Sequence, residues 1–329
     1  MDPQVKQRMN PAILKEIARA YGVDVSSLRF HDSTESFLYR YEQEGSSFFL
    51  RVSHSSRRTP NMIRGELDWL QYLSQFELPI VQVAPNLFGE PCAVIPLEDG
   101  SFFTAVSFHE VLGKQKTDAY DDPRLIEQLG QMIGNLHRVT QAYQPSDPAW
   151  KRPDWSEELQ GFAEKYLPPS EQKAVESFQA IMKKLHTLPQ HKDNYGLIHS
   201  DIHRGNFFVD QNRITLFDFD DCQYSWFVWD IAIALFYAVP FKESEGKRTE
   251  LAKRFLHHLL TGYEQVHHIS DEELKQIPLF LKLREVDLYT VIYRSFGSGP
   301  YDAWCQTYMD GRKERIEQDI PFFSEGLGD

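Results

Sequence analysis

The sequence predicts an α+β protein of two lobes: a small β-rich N-terminal lobe carrying one helix, and a larger, mainly helical C-terminal lobe. Three observations lead there. Hydrophobic periodicity has strand character over much of residues 27–107 and helical character over most of the chain beyond Gly113. A strand-rich island at 197–221 interrupts the helical part and concentrates His, Asp and Asn. The length, 329 residues, is too great for one minimal core and suits two.

Taken in order, residues 10–21 read as a short amphipathic helix with Ile13, Leu14, Ile17 and Ala18 at helical spacing. The period then changes. Residues 38–41 and 48–52 read as strands joined as a hairpin through Glu44-Gly45-Ser46. Thr59-Pro60 starts a helix, with Thr as the cap and Pro in the first turn, and Ile63, Leu67, Leu70 and Leu73 give it one apolar face. Strand signals return at 93–96 and 102–106 around the turn Asp99-Gly100. Beyond Gly113, helical patterns cover 123–140, 156–165, 170–186, 248–265, 271–293 and 301–318. The expected division is a lobe over 1–107, a connection over 108–113 and a helical lobe over 114–329.

Composition narrows the function. Hydrophobic residues at 41% and charged residues at 25% exclude wholesale disorder. A net charge of −13 argues against a generally basic nucleic-acid binder. Cys92, Cys222 and Cys305 are far apart and odd in number, so no disulfide framework or zinc spacing follows. The first twenty residues lack a signal-peptide pattern, and no apolar run reaches the length of roughly 18 residues that a membrane span needs. The expectation is a cytoplasmic protein without a membrane or nucleic-acid partner; oligomeric state is not legible.

The island carries the chemistry. A short apolar run, Leu197-Ile198, enters the polar loop His199-Ser200-Asp201-Ile202-His203-Arg204-Gly205-Asn206 and leaves as Phe207-Phe208-Val209. After the turn 210–213, a second run, Ile214-Thr215-Leu216-Phe217, ends in Asp218-Phe219-Asp220-Asp221. The returning strand brings the polar loop and the acidic cluster to one end of a hairpin. That arrangement suits phosphoryl transfer, which needs a carboxylate to orient and deprotonate a hydroxyl, and oxygen ligands to hold Mg²⁺ on phosphates. Asp201 is the candidate base, Asn206 the neutral magnesium ligand, Asp218 the anionic one, and His199 a structural member of the loop. A hairpin whose Asp and Asn only cap turns is the competing account. A zinc site on His199 and His203 is weaker, because Gly205 and the strand-like flanks oppose the helix it would need.

The segment His199-Ser200-Asp201 with Asn206, followed by Asp218-Phe219-Asp220, resembles the catalytic and metal-binding motifs of the aminoglycoside phosphotransferase and choline kinase-like family, relatives of the protein kinases. Residues 229–235 look like the helix that follows the metal loop there, and the pattern is most similar to the bacterial homoserine kinase-like and stress-kinase-like branch. The resemblance implies a two-lobed protein-kinase-like fold, with ATP and Mg²⁺ as cofactors. It implies a basic residue on the third strand that holds phosphates and pairs with a helix carboxylate; here these are Arg51, in place of the usual Lys, and Glu66. It implies a phosphate-covering loop at 31–36, which has no glycine and offers Ser33, Thr34 and Ser36, and backbone recognition of adenine from Ser107, Phe108 and the residues to Val111.

The implied activity is transfer of the ATP γ-phosphate to a hydroxyl of a small molecule: an amino alcohol, homoserine-like, sugar or aminoglycoside-like. A protein Ser/Thr kinase of the stress-kinase type and a catalytically idle nucleotide-binding regulator are the alternatives. Acceptor candidates are Asp221, Tyr224, Trp226, Trp229, Glu285, Asp287, Tyr289 and Tyr293. Of these, Glu285, Tyr289 and Tyr293 repeat at four-residue spacing on one predicted helix, 279–295. An acidic, aromatic wall would suit an amine-bearing alcohol. Such a stripe reads equally as core packing, and packing is the commoner outcome.

Overall fold

A computed structural model describes residues 3–32 and 35–323. Its chain divides into two compact units. The first holds the chain up to Gly113 together with Ala142–Arg152 and Thr215–Asp220; the second holds Lys114–Gln141, Pro153–Ile214 and the chain from Asp221 onward.

The first unit opens with helices α1 (Pro3–Arg8) and α2 (Pro11–Ala20). Asn10 caps α2, its Oδ1 accepting the Ala12 and Ile13 N–H groups at 3.0 and 3.1 Å. Six antiparallel strands follow: β1 (Arg29–Asp32), β2 (Phe37–Gln43), β3 (Ser46–His54), β4 (Val83–Ala84), β5 (Ala93–Pro96) and β6 (Phe102–His109), in the order β1-β2-β3-β6-β4 with β5 also on β6. The β2–β3 hairpin turns through Glu44 and Gly45, both left-handed (φ 52° and 78°), as a two-residue turn between twisted strands requires. Phe37, Tyr39 and Tyr41 of β2 and Leu50 and Val52 of β3 bury one face of the sheet with Phe103, Ala105 and Ile17. Helix α3 (Pro60–Ser74) starts where predicted, with Thr59 Oγ1 accepting the Met62 N–H.

Two later segments belong to this unit. Tyr143 Oη and the Ser146 N–H donate to Asp68 of α3 at 2.7 and 3.1 Å. Gly65 lets the Trp150 carbonyl approach so closely that a Cβ there would lie 2.0 Å from the oxygen. Residues 215–220 join through Val81 N–H to Leu216 O, 2.8 Å, and through Phe219 packed edge-on against Trp69.

In the second unit, β7 (Tyr195–Ile198) pairs antiparallel with β10 (Gln223–Trp226); β8 (Phe207–Asp210) turns through the left-handed residues Gln211 and Asn212 into β9 (Arg213–Leu216), whose last two residues are counted with the first unit. Helices α4 (Pro123–Thr140), α5 (Trp155–Leu159), α6 (Phe162–Tyr166), α7 (Gln172–Leu185), α8 (Phe227–Ala238), α9 (Glu245–Tyr263), α10 (Asp271–Leu274), α11 (Ile277–Phe296), α12 (Ala303–Met309) and α13 (Arg312–Glu317) make up the rest. α8 is buried on every side from Phe227 to Phe236, so it has no polar face to betray a period. Three predicted helices are interrupted. Left-handed Gly161 and Gly311 divide 156–165 and 301–318, and α10 stops short of α11, whose first turn carries Pro278. Among the described residues, no helix is long and apolar enough to cross a membrane.

α4 and α9 touch backbone to backbone. A Cβ on Gly130 would lie 1.9 Å from Leu259 O, and one on Gly262 1.9 Å from Glu127 O. Neither carbonyl can rotate away inside a helix. Gly130→Ala and Gly262→Ala are each expected to lower stability in urea by about 2 kcal/mol or more. Gly246→Ala, in the first turn of α9 with nothing within 4 Å, is expected to raise it by up to about 1 kcal/mol.

Candidate active site

The polar loop begins where β7 ends. Ser200 is left-handed (φ 69°), which turns the chain sharply and points two successive backbone N–H groups inward. Both are received by one buried carboxylate on α8: His199 N–H to Asp230 Oδ2 at 3.1 Å, and Ser200 N–H to Asp230 Oδ1 at 2.7 Å. Asp230 also meets His137 Nε2 at 3.2 Å, and His137 Nδ1 meets Tyr263 Oη at 2.9 Å, with the imidazole stacked on Phe227. Gln223 of β10 donates to Ser200 Oγ. His199 Nδ1 accepts the Asp201 N–H at 3.2 Å, a bond that ties the loop to itself.

The Asp201 carboxylate is gripped at both oxygens. Oδ2 accepts from Asn206 Nδ2 at 2.9 Å and lies 3.2 Å from His203 Nε2; Oδ1 accepts from Arg284 Nη2 at 2.7 Å. His203 Nδ1 accepts the Gly205 N–H, so its Nε2 carries the proton. Burial alone would raise the Asp201 pKa, but the His203 N–H at one oxygen and the Arg284 guanidinium at the other hold it well below the usual carboxylate range. Asn206 directs its Nδ2 at both the carboxylate and the carbonyl of Asp201, leaving its side-chain carbonyl as the acceptor end of the amide.

In the first unit, Arg51 lies on a central strand and is buried. Its Nη2 binds Glu66 Oε2 at 2.5 Å, and its Nη1 lies 3.9 Å from Asp218 Oδ1 and 3.7 Å from Asp220 Oδ1. Phe108 covers the guanidinium at 5.2 Å. Burial disfavours its charge, yet Glu66 and Asp220 hold its pKa above the ordinary value. Asp220 is a hub of arginines. Arg57 reaches its Oδ2 at 2.8 Å, while Arg58 Nε and Arg152 Nη2 donate to its backbone carbonyl at 3.1 and 2.8 Å. Burial opposes its ionisation, but Arg57, Arg51, Arg58 and Arg152 together depress its pKa strongly. Asp218 is left-handed (φ 64°), and its side chain is 52% exposed.

Within the first unit, then, Arg51, Glu66 and Asp218 are brought together; within the second, Asp201 and Asn206. Ser33 and Thr34 lie outside the described residues. Ser36 Oγ is 2.9 Å from Ser53 Oγ, and Glu35 beside it is ion-paired to Arg57. Ser107 and Phe108 lie inside β6, which runs three residues past its predicted end, and pair with Leu50 and Phe49 of β3 on one side and Ala84 and Val83 of β4 on the other. The aromatic and acidic stripe on α11 faces inward. Glu285 is fully buried on Arg312 and Lys282, and Tyr289 Oη donates to Glu171, so both serve packing. Asp287 is buried beside Arg284 at 2.9 Å.

Sequence reasoning placed Asp220 in the acidic cluster without its arginine partners, and missed Asp230 and Arg284 as parts of these clusters. Asp230 had a signal: a carboxylate in an apolar helical run must be paired. Arg284 had none, since its contact with Asp201 spans 83 positions.

Residues 27–269 match the model of the phosphotransferase enzyme family. The chain is 31% identical over 315 residues to amicoumacin kinase of Bacillus subtilis (strain 168), covering 94% of this chain and 92% of that one. The solved structure of amicoumacin kinase hAmiN in complex with AMP-PNP, Ca2+ and Ami is similar at TM-score 0.91 and 32% identity over 99% of both chains. A microcompartment-associated aminopropanol kinase shares the fold at TM-score 0.72 and 23% identity, over 94% of this chain and 97% of that one. The family match and these likenesses define a kinase-like phosphotransferase that acts on a hydroxyl group of a small molecule. The chain belongs to the phosphotransferase enzyme family.

Replacing Asp230 by Ala strands two loop N–H groups and is expected to cost about 3 kcal/mol or more in denaturant unfolding. A pH effect comes from His267, packed edge-on to Phe227, Tyr263 and His137, with a buried Nε2 that has no hydrogen-bond partner. Burial first, and then His137, push its pKa down from 6.5 to about 4. A depressed histidine pKa favours the neutral form in the fold, so its contribution is complete above 6.5 and is lost as pH falls towards 4. The melting midpoint is expected to fall across that window, and to fall less steeply in His267→Phe.

Proposed function

We propose that this protein is an ATP-dependent kinase that uses a divalent cation and phosphorylates a hydroxyl group of amicoumacin or a close congener. The carrying observation is the end-to-end likeness, in sequence and in structure, to two amicoumacin kinases. The Asp201 loop supports the chemistry. A carboxylate ionised at neutral pH and fixed at both oxygens can accept the hydroxyl hydrogen bond and align that oxygen for in-line attack. Its weak basicity suits a loose transition state, in which the hydroxyl proton leaves late.

Arg51, paired to Glu66, is assigned to the ATP phosphates. Asn206 and Asp218 are assigned to Mg²⁺, which supplies charge neutralisation on the transferring phosphoryl group. The donor chemistry fits: Asn206 has its amide nitrogen committed to Asp201, and Asp218 carries an outward carboxylate. Ser36, with Ser33 and Thr34, is assigned to the phosphate-covering loop. Ser107, Phe108 and His109 are paired in the β6 ladder and the Glu110 N–H is donated to Ser47 O, so within the connection from Ser107 to Val111 adenine recognition is assigned to the backbone beyond the Glu110 N–H.

The test is ATP turnover with amicoumacin beside a panel of amino alcohols, homoserine, sugars and aminoglycosides, with the product identified by the mass of one added phosphoryl group. Amicoumacin is expected to give the highest kcat/KM. Asp201→Asn should lower kcat at least about 100-fold while nucleotide binding persists; Asp218→Ala should also abolish the magnesium-dependent thermal shift with ATP. Wild-type turnover in Asp201→Asn would remove the assignment of this loop. Turnover of another acceptor with none of amicoumacin would remove the assigned substrate.

A further inference from the structure

We propose that Arg284 of α11 is a positioning residue for phosphoryl transfer, fixing the plane of the Asp201 carboxylate so that Oδ1 meets the acceptor hydroxyl. The inference rests on Asp201 being the hydroxyl-aligning base.

The torsion that sets a carboxylate's plane is soft, with broad two-fold preferences. The loop's own donors, Asn206 Nδ2 and His203 Nε2, both act on Oδ2. The two oxygens turn together about the Cβ–Cγ bond, and donors on one edge alone resist that rotation less than donors on both edges do. Arg284 Nη2 on Oδ1 at 2.7 Å supplies the second fixed point. One lone pair of Oδ1 remains for a substrate hydroxyl.

Arg284 is itself held rigidly. Nη1 donates to Asp287 Oδ2 at 2.9 Å, Nη2 also reaches Tyr237 Oη at 2.7 Å, and the Tyr237 ring lies 5.3 Å from the guanidinium carbon. Only 14% of the side chain is exposed. Its two terminal nitrogens are thus engaged by protein, and its Nε is buried. An acceptor could bind Arg284 only by displacing those partners, so the side chain acts through Asp201 rather than on substrate.

A purely structural role explains the arrangement poorly. Buried ion pairs are commonly no more stabilising than apolar replacements of similar volume. Arg284 lies on a helix whose neighbouring positions Leu281, Leu283 and Leu288 are already in the core.

Removing Arg284 alone would leave Asp287 buried and unpaired, so the main variant is the double substitution Arg284→Met with Asp287→Asn, beside Arg284→Lys. Readouts are kcat, acceptor KM, nucleotide-induced thermal shift and melting midpoint. The double variant is expected to lose about 100-fold in kcat, as misplacement of a reacting group does. Its acceptor KM and nucleotide shift should stay within about threefold and its midpoint close to wild type. Lys, which keeps one donor and the charge, should recover at least about tenfold of that loss. In an Asp201→Asn background, Arg284→Met with Asp287→Asn should cause no further fall, because the two residues act as a unit.

A kcat within threefold of wild type overturns the proposal. So does a rise in acceptor KM at unchanged kcat, which makes Arg284 a substrate contact, or a further fall in the Asp201→Asn background. Wild-type turnover in Asp201→Asn alone identifies the failure as that of the Asp201 reading, and the role of Arg284 falls with it.

Discussion

One buried carboxylate carries the geometry of the second unit. Asp230 lies inside an apolar helix, where an unpaired charge would not be tolerated, and the loop solves this by offering two successive N–H groups while His137 approaches from α4. The same bonds hold Ser200 in a left-handed conformation that a serine does not take for its own sake. That turn carries Asp201 away from the strand axis and delivers it to Asn206, His203 and Arg284. The strain at Ser200, the burial of Asp230 and the attitude of Asp201 are therefore one interaction seen from three sides. The aromatic enclosure of His137 by Phe227 and Tyr263 keeps water from competing for it.

The first unit uses the opposite device. There the fixed point is a crowd of arginines around Asp220, and the substitution of Arg for Lys on β3 becomes intelligible within it. A lysine ammonium is a point charge. The Arg51 fork spans Glu66 on one nitrogen while the other faces Asp218 and Asp220, and its flat face rests on Phe108. Four arginines in one place would repel one another without Asp220, which takes contacts on both its carboxylate and its carbonyl. Glu35 draws off part of the Arg57 charge as well.

What the sequence made legible was local. Capped helices, the Glu44-Gly45 hairpin and the spacing from His199 to Asn206 depend on residues a few positions apart, and these were readable as such. β1 was not, because all four of its residues are exposed and leave no alternation to detect. β10 was not, because its four residues run directly into the apolar start of α8. Long-range pairs were invisible for the same reason: Arg57 meets Asp220 across 163 positions, and His137 meets Asp230 across 93. The Arg51–Glu66 pair, across 15 positions, was anticipated from the family resemblance.

The α11 stripe shows where formal charge misleads. Glu285, Tyr289 and Tyr293 at four-residue spacing suggested a wall for a cationic acceptor, yet a helix face says nothing about which way it faces. Glu285 is neutralised by Arg312 and Lys282, and Glu171 beneath Tyr289 by Lys313. Asp287, whose pKa burial raises against the opposing pull of Arg284, is likewise spoken for. A chain with a net charge of −13 thus keeps much of the acidity of this helix for internal pairing. Beside Asp201 the second unit presents rings instead: His203 against Tyr237 at 4.8 Å, and Tyr237 stacked with the exposed Trp304 at 6.4 Å. Selectivity for an acceptor at such a surface has to come from shape and π-contact as much as from charge. The cation that stands beside Asp201, Arg284, is itself paired to Asp201 and Asp287, so the charge at this place is set by the whole triad and does not by itself turn away an ammonium on the acceptor.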